Sequence, residues 1–152
     1  MVQAPPQPKT LLLELPETLN LQVTREQFVA LVAANRDLRL ERTATGELIG
    51  NPPTGGETGN RNFSLTTQFG VWVEANDSLG KGFGSSTGFE LPNGADRSPD
   101  LSWVRQERWD GLTPEQRERF IPLCPDFVVE LRSKTDSLKK LQAKMVEYIE
   151  PI

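Results

Sequence analysis

Residues 127–131 read Phe-Val-Val-Glu-Leu, an apolar run with the length and β-branched character of a buried strand and one carboxylate, Glu130, inside it. Side chains alternate along a strand, so Glu130 shares a face with Val128 and Arg132, while Val129 and Leu131 point the other way. A carboxylate on a half-buried face is costly unless it is paired or coordinates a metal. The fold must therefore bring Glu130 a partner. Two readings are open at this level: an internal ion pair with Arg132, or a metal site.

The surrounding pattern predicts an α/β chain of one domain. Residues 1–22 read as an arm, proline-rich in "MVQAPPQPK" and then apolar at Leu11–Leu13, where a short strand or contact segment is possible, and residues 23–152 read as the domain. Thr24 with Gln27 forms a capping box, and Phe28, Leu31 and Val32 follow at helical spacing, which predicts a helix over 24–36. "LRLERTATGELIGNPP" alternates across a Thr-Gly turn and predicts a hairpin of Leu38–Arg42 with Glu47–Ile49. Phe63, Phe69, Trp72 and Val73 recur with helical phase over 61–78. The glycine-rich "GFGSSTGFELPNGADRSPDLSWVRQERW" predicts two antiparallel strands, 82–90 and 100–105, with the glycines serving bends in a curved strand. Thr113 caps a short helix over "PEQRERF", a strand runs from Asp126 to Arg132, and a last helix spans 137–149. That helix sets Leu138, Leu141, Met145, Tyr148 and Ile149 on one face and Lys140, Lys144 and Glu147 beside it, where a solvated charged face is the plainer reading.

One absence narrows the chemistry. The chain of 152 residues has no histidine, which removes Ser-His-Asp and Cys-His nucleophiles, a histidine base and histidine-ligated zinc. Carboxylates, lysines, arginines and hydroxyls remain, and they suit hard divalent cations that take oxygen ligands. The single Cys124, between Leu123 and Pro125, is expected to be a small core residue. "SLGKGFGSSTG" fails both phosphate-loop and dinucleotide spacing, so no nucleotide cofactor is expected. No segment is long and apolar enough for a membrane span, and the N-terminus has no signal-peptide pattern, so a cytoplasmic location without membrane association is expected. The net charge of -4 argues against non-specific coating of nucleic acid but leaves room for a local basic face. Trp103 and Trp109 are expected to be exposed, as packing or stacking residues.

"SPDLSWV" followed by "PDFVVELRSKTDSLKKLQAKMVEY" resembles the large bacterial family of restriction-endonuclease-like domains of unknown function within the PD-(D/E)XK nuclease superfamily. The likeness runs over nearly the whole chain, through "ERTATGELI", "NPPTGG" and "FGSSTGFELPNGADRSPD" in the family's order. It implies a restriction-endonuclease-like mixed β-sheet core flanked by helices, an α+β arrangement, and a Mg2+- or Mn2+-dependent endonuclease acting on DNA. It also implies roles for particular residues. Asp100 matches the aspartate of the first metal-ligand motif and Glu130 the acid of the second. The motif lysine falls on Arg132, a departure, and Lys144 matches a lysine that this family displaces to the following helix, with Tyr148 one turn on. Glu47 matches an additional acidic position, which completes an implied metal set of Asp100, Glu130 and Glu47. Relatives continue after the last helix with a further strand and hairpin where this chain ends at "YIEPI". A C-terminally truncated sheet, or one completed by a second copy as a homodimer, is therefore expected. The alternative is a nuclease-like domain without catalysis, acting as a DNA-binding or protein-interaction module.

Overall fold

The computed structural model describes residues 20–134 and 136–149. Leu11–Leu13 and the chain end after Ile149 lie outside them. The end of the expected arm and the first residue of the domain lie against the first hairpin: Leu48 donates to the Leu21 carbonyl at 2.7 Å and Val23 to that of Gly46 at 2.8 Å.

Helix α1, Arg25–Ala34, begins where the capping box requires. Gln27 N–H donates to Thr24 Oγ1 at 3.2 Å, and Thr24 N–H to Gln27 Oε1 at 2.9 Å. Its buried Phe28 meets Phe120 edge to face at 5.6 Å. The hairpin follows as β1, Arg39–Arg42, and β2, Leu48–Asn51. Its turn needs glycine, because Gly46 sits at φ +92°. Helix α2, Gly56–Ala75, starts earlier than expected, at the glycine pair after Thr54.

The glycine-rich middle is where the structure departs most from the sequence pattern. One long expected strand over 82–90 is two short ones, β3 (Gly80–Gly84) and β4 (Phe89–Glu90), which belong to different sheets. The "LPNG" turn is present, with Gly94 at φ +86°, and it joins β4 to β5, Asp96–Arg97. β6 covers Leu101–Arg105, as expected. The glycines in β3 make room for neighbours. A Cβ on Gly82 would lie 2.7 Å from Val73 Cγ2, so α2 rests directly on β3, and one on Gly80 would lie 2.2 Å from the Val104 carbonyl.

Two short helices follow, α3 (Gln106–Asp110), which the sequence pattern missed, and α4 (Pro114–Arg117), opened by Thr113 as predicted. β7 spans only Phe127–Val129, and α5 spans Leu138–Ile149. The strands form two sheets, β2-β1-β5-β4 and β3-β6-β7, and every ladder is antiparallel. A parallel bridge joins Phe89 to Ile121. The result is an α+β fold with sheets flanked by helices.

The core ties the sheets together. Phe89, Leu91 and Ala95 come from β4 and its turn, Val104 from β6, and Ile121 and Leu123 from the segment before β7. Trp109 and Cys124 pack against it. Trp109 is therefore no free stacking residue: it lies on Phe83 and under the Arg117 guanidinium, 4.8 Å away. Trp103 is half-buried against Trp72. Among the described residues no helix is long and apolar enough to cross a membrane.

Each large buried apolar side chain contributes roughly 1.5–3 kcal/mol. Phe89, fully buried and packed edge to face with Phe83, sits where both sheets meet. Phe89→Ala should lower the unfolding free energy by about 3–5 kcal/mol, read as a lower urea midpoint at unchanged slope. A loss below about 1 kcal/mol would place the core elsewhere.

Candidate active site

β6 and β7 pair with Leu101 opposite Val129. Just past the paired residues, Asp100 precedes β6 and Glu130 follows β7, near enough for the Asp100 charge to act on Glu130. The Leu131 N–H donates to Asp100 Oδ2 at 2.7 Å, which holds that carboxylate at the junction. Asn62 of α2 reaches Asp100 Oδ1 at 3.5 Å, and Arg39 of β1 lies 3.9 Å from the same atom.

Glu130 follows directly after β7, and its side chain is 8% exposed. Its partner is not Arg132. The strand ends at Val129, so the alternation that would set Arg132 beside Glu130 stops there, and Arg132 is exposed with its Nε 3.4 Å from the Asp136 carbonyl. The charge comes instead from Lys144 of α5, whose Nζ lies 2.6 Å from Glu130 Oε1. Tyr148, one turn on, donates its hydroxyl to the same oxygen at 3.1 Å. The amphipathic face of α5 explains the reach: Lys144 and Tyr148, four residues apart, lie on one side of the helix and turn inward together.

Lys144 is shared. Its Nζ is also 2.9 Å from Glu41 Oε1, a carboxylate only 2% exposed in β1. Glu41 accepts further bonds from the Ser98 N–H at 2.8 Å and from Arg97 at 3.3 Å, and Arg97 in turn binds Glu147 of α5 at 2.5 Å. The sequence reading missed Glu41 and Arg97. The signal for Glu41 was the charged pair in "RLER", where β1 buries Glu41 and Arg42 and exposes Arg39.

Glu47, expected among the metal ligands, makes a single bridge with Gln22 and donates its N–H to Thr43 Oγ1 at 3.0 Å. Among the described residues no hydrogen bond or ion pair joins it to Asp100, Glu130 or Lys144. Lys140 is exposed. Cys124 packs in the core with Sγ 3.3 Å from the Tyr148 carbonyl, and burial pushes its thiol up, away from the nucleophilic thiolate.

The two glutamates differ in electrostatics. For Glu41, burial alone would raise the pKa, but the charge and hydrogen bond of Lys144, with Ser98 N–H and Arg97, hold it below the ordinary value and ionised. For Glu130, burial prevails: its pKa is raised, with Glu41 and Asp100 adding repulsion that Lys144 only partly offsets. Burial and Glu130 push Tyr148 well above the usual phenol range, so it remains a donor. Arg97 stays charged, since Glu147 and Glu41 overcome its burial. The donors here are carboxylate oxygens without nitrogen or sulfur, a set suited to hard cations. Among the described residues no group of three carboxylates could hold a metal by itself. Asp100 and Glu130 still fit Mg2+, which keeps several waters and takes one or two carboxylates plus substrate phosphate.

The fold is shared with a solved structure of low sequence identity. The crystal structure of a "putative nuclease belonging to DUF820" from Anabaena variabilis, at 1.96 Å resolution, matches with a TM-score of 0.55 and 16% identity. The match covers 72% of this chain and 59% of that one, so the chain spans well under two thirds of its relative's length. A search of curated proteins found no match. The Uma2 family model, described as "Putative restriction endonuclease", matches residues 25–151, and this chain belongs to that family.

The raised pKa of Glu130 has a consequence for stability. The folded protein binds this proton more tightly than the unfolded chain, so Glu130 costs stability as pH rises from about its ordinary value of 4.5 through the raised native value. Glu130→Gln removes that cost and keeps an acceptor for Tyr148. The melting temperature of the variant, compared with wild type in metal-free buffer, should gain on it across that interval and then level off. A difference independent of pH would mean that burial does not strain Glu130.

Proposed function

We propose that this protein is a Mg2+-dependent endonuclease that hydrolyses DNA phosphodiester bonds, Mn2+ being able to replace Mg2+. The observation that carries this is Asp100 near enough to Glu130 for their charges to interact, with the Lys144 ammonium 2.6 Å from Glu130. The family description agrees in class, and the absence of histidine leaves carboxylates and lysine as the available groups.

Asp100 and Glu130 would hold the ion. Bound there, it would polarise the scissile phosphate and lower the pKa of a coordinated water. Lys144 would orient the attacking water or offset charge developing on the phosphate. Glu41 and Arg97 position Lys144 from one side, and Tyr148 fixes the Glu130 carboxylate from the other. Arg132 cannot act as a base, because a guanidinium remains protonated. A homodimer through the open edge of β7, where Phe127 is 50% exposed, belongs to the same reading, as does a cytoplasmic location.

A second reading has one observation in its favour. The Lys144 ammonium bridges Glu41 and Glu130, so Glu130 already has a counter-charge without a metal ion. A DNA-binding module without cleavage would look the same. Supercoiled plasmid with Mg2+ separates the two. Wild type should nick or linearise it, and Asp100→Asn, Glu130→Gln and Lys144→Met should each lose about 100-fold or more. In parallel, Mg2+ should raise the melting temperature of wild type and leave that of Glu130→Gln unchanged. Intact plasmid at enzyme excess, with no Mg2+ shift, would favour the non-cleaving module.

A further inference from the structure

Beside the carboxylates the surface opens into a cleft of about 490 Å3, lined by Glu57, Arg61, Arg132, Ser133 and Lys134. Its charge is lopsided: two arginines and a lysine face one acid. That acid, Glu57, is 3.6 Å from Lys134, and both side chains are largely in solvent, so the pair is weak and either group can exchange partners. The cleft is wide and polar-rimmed, unlike an enclosed apolar pocket for a small molecule.

Its position relative to the acids follows from two chain segments. Arg61 precedes Asn62, whose amide reaches Asp100 at 3.5 Å, so α2 carries the arginine alongside the site. Arg132 and Lys134 follow Glu130 by two and four residues, on the segment that leaves β7. Arg39 adds a further accessible cation at Asp100, 3.9 Å from Oδ1 and 40% exposed. In a chain of net charge -4, such a concentration of accessible cations beside a carboxylate pair stands out. Arg132, which the acid pair does not use, acquires a role here.

We infer that this cleft is a phosphate-binding groove that seats the backbone of duplex DNA next to the bond being cut, with Arg61, Arg132 and Lys134 as its contacts. The inference rests on the nuclease reading for the identity of the ligand. Guanidinium groups suit phosphate because they offer forked donors, and contacts of this kind give affinity and register without sequence preference. Each neutralised phosphate releases counterions, so the groove has a signature in salt dependence that a merely structural role for these side chains would lack.

The test is fluorescence anisotropy of a labelled random-sequence duplex in EDTA, which prevents metal-dependent cleavage, with salt varied from about 50 to 200 mM. Arg61→Gln, Arg132→Gln and Lys134→Gln should each weaken binding and flatten the dependence of log affinity on log salt by about one. The triple variant should lose about two to three of that slope at an unchanged melting temperature. Glu57→Gln should do the opposite and bind more tightly, an outcome that misfolding cannot mimic. Variants that bind with the affinity and slope of wild type, or a wild type that binds no duplex, would overturn the groove. Plasmid cleavage in Mg2+ by the same preparations keeps the two ideas apart. Cleavage with unaltered variant binding removes the groove and leaves the nuclease; groove-dependent binding without wild-type cleavage removes the nuclease and leaves the groove.

Discussion

The pairing of β1 with β5 is the constraint on which the rest depends. Arg42 stands opposite Asp96, so Glu41 stands opposite Arg97, giving two opposite-charge cross-strand pairs on the two faces of the sheet. A register slip in either direction would set Glu41 against Asp96, or Arg42 against Arg97. Like charges would then meet in the interior, so the register is specified far more strongly than two short strands could manage by hydrogen bonds alone. One face holds a structural cluster, in which Arg25 bonds Glu90 and lies near Asp96. The other face presents Glu41 to Lys144. Asp96 also shows the strain of such burial, which raises its pKa against the pull of Arg42 and Arg25.

The site inherits that arrangement. Glu41, kept ionised by its neighbours, holds Lys144 inward, and Lys144 in turn stabilises Glu130 in a setting that works against its ionisation. Two buried acids, Glu41 and Glu130, share one lysine. Such tension is common where a group must exchange a proton, a cation or a phosphate, since a fully satisfied pair would resist replacement. The basic cleft beyond Asp100 lies outside this balance. Its side chains stand in solvent and contribute little to the fold, and a polyanion can therefore use them at small cost.

How much was legible in the sequence varies with the range of the interaction involved. Thr24-Gln27 and Thr113-Gln116 are local and correctly marked two helix starts, as the Thr-Gly turn marked a hairpin. Glu130 announced itself as a buried acid in need of a partner, and the family likeness pointed to Lys144, which the structure brings to it. The local choice of Arg132 as that partner assumed that the strand continued past Val129. The glycines of β3 were read as bends, whereas they leave space for Val73 and for a neighbouring strand, a contact that exists only between distant segments. Glu47 carried a motif position, yet its neighbours are Gln22 and Thr43; Glu41, six residues earlier with no motif to mark it, meets Lys144.

By itself the sequence determined the α+β pattern, the helix caps, the removal of histidine chemistry and the demand for a counter-charge at Glu130, because each of these follows from spacing, composition or the energetics of one buried group. Only the tertiary structure decided which charge answers that demand. Lys144 is 103 residues from Glu41 and reaches both it and Glu130 once α5 packs across the open ends of two sheets. No local propensity encodes that crossing; it arises when the apolar face of a helix and the charged register of a strand pair are satisfied at the same time.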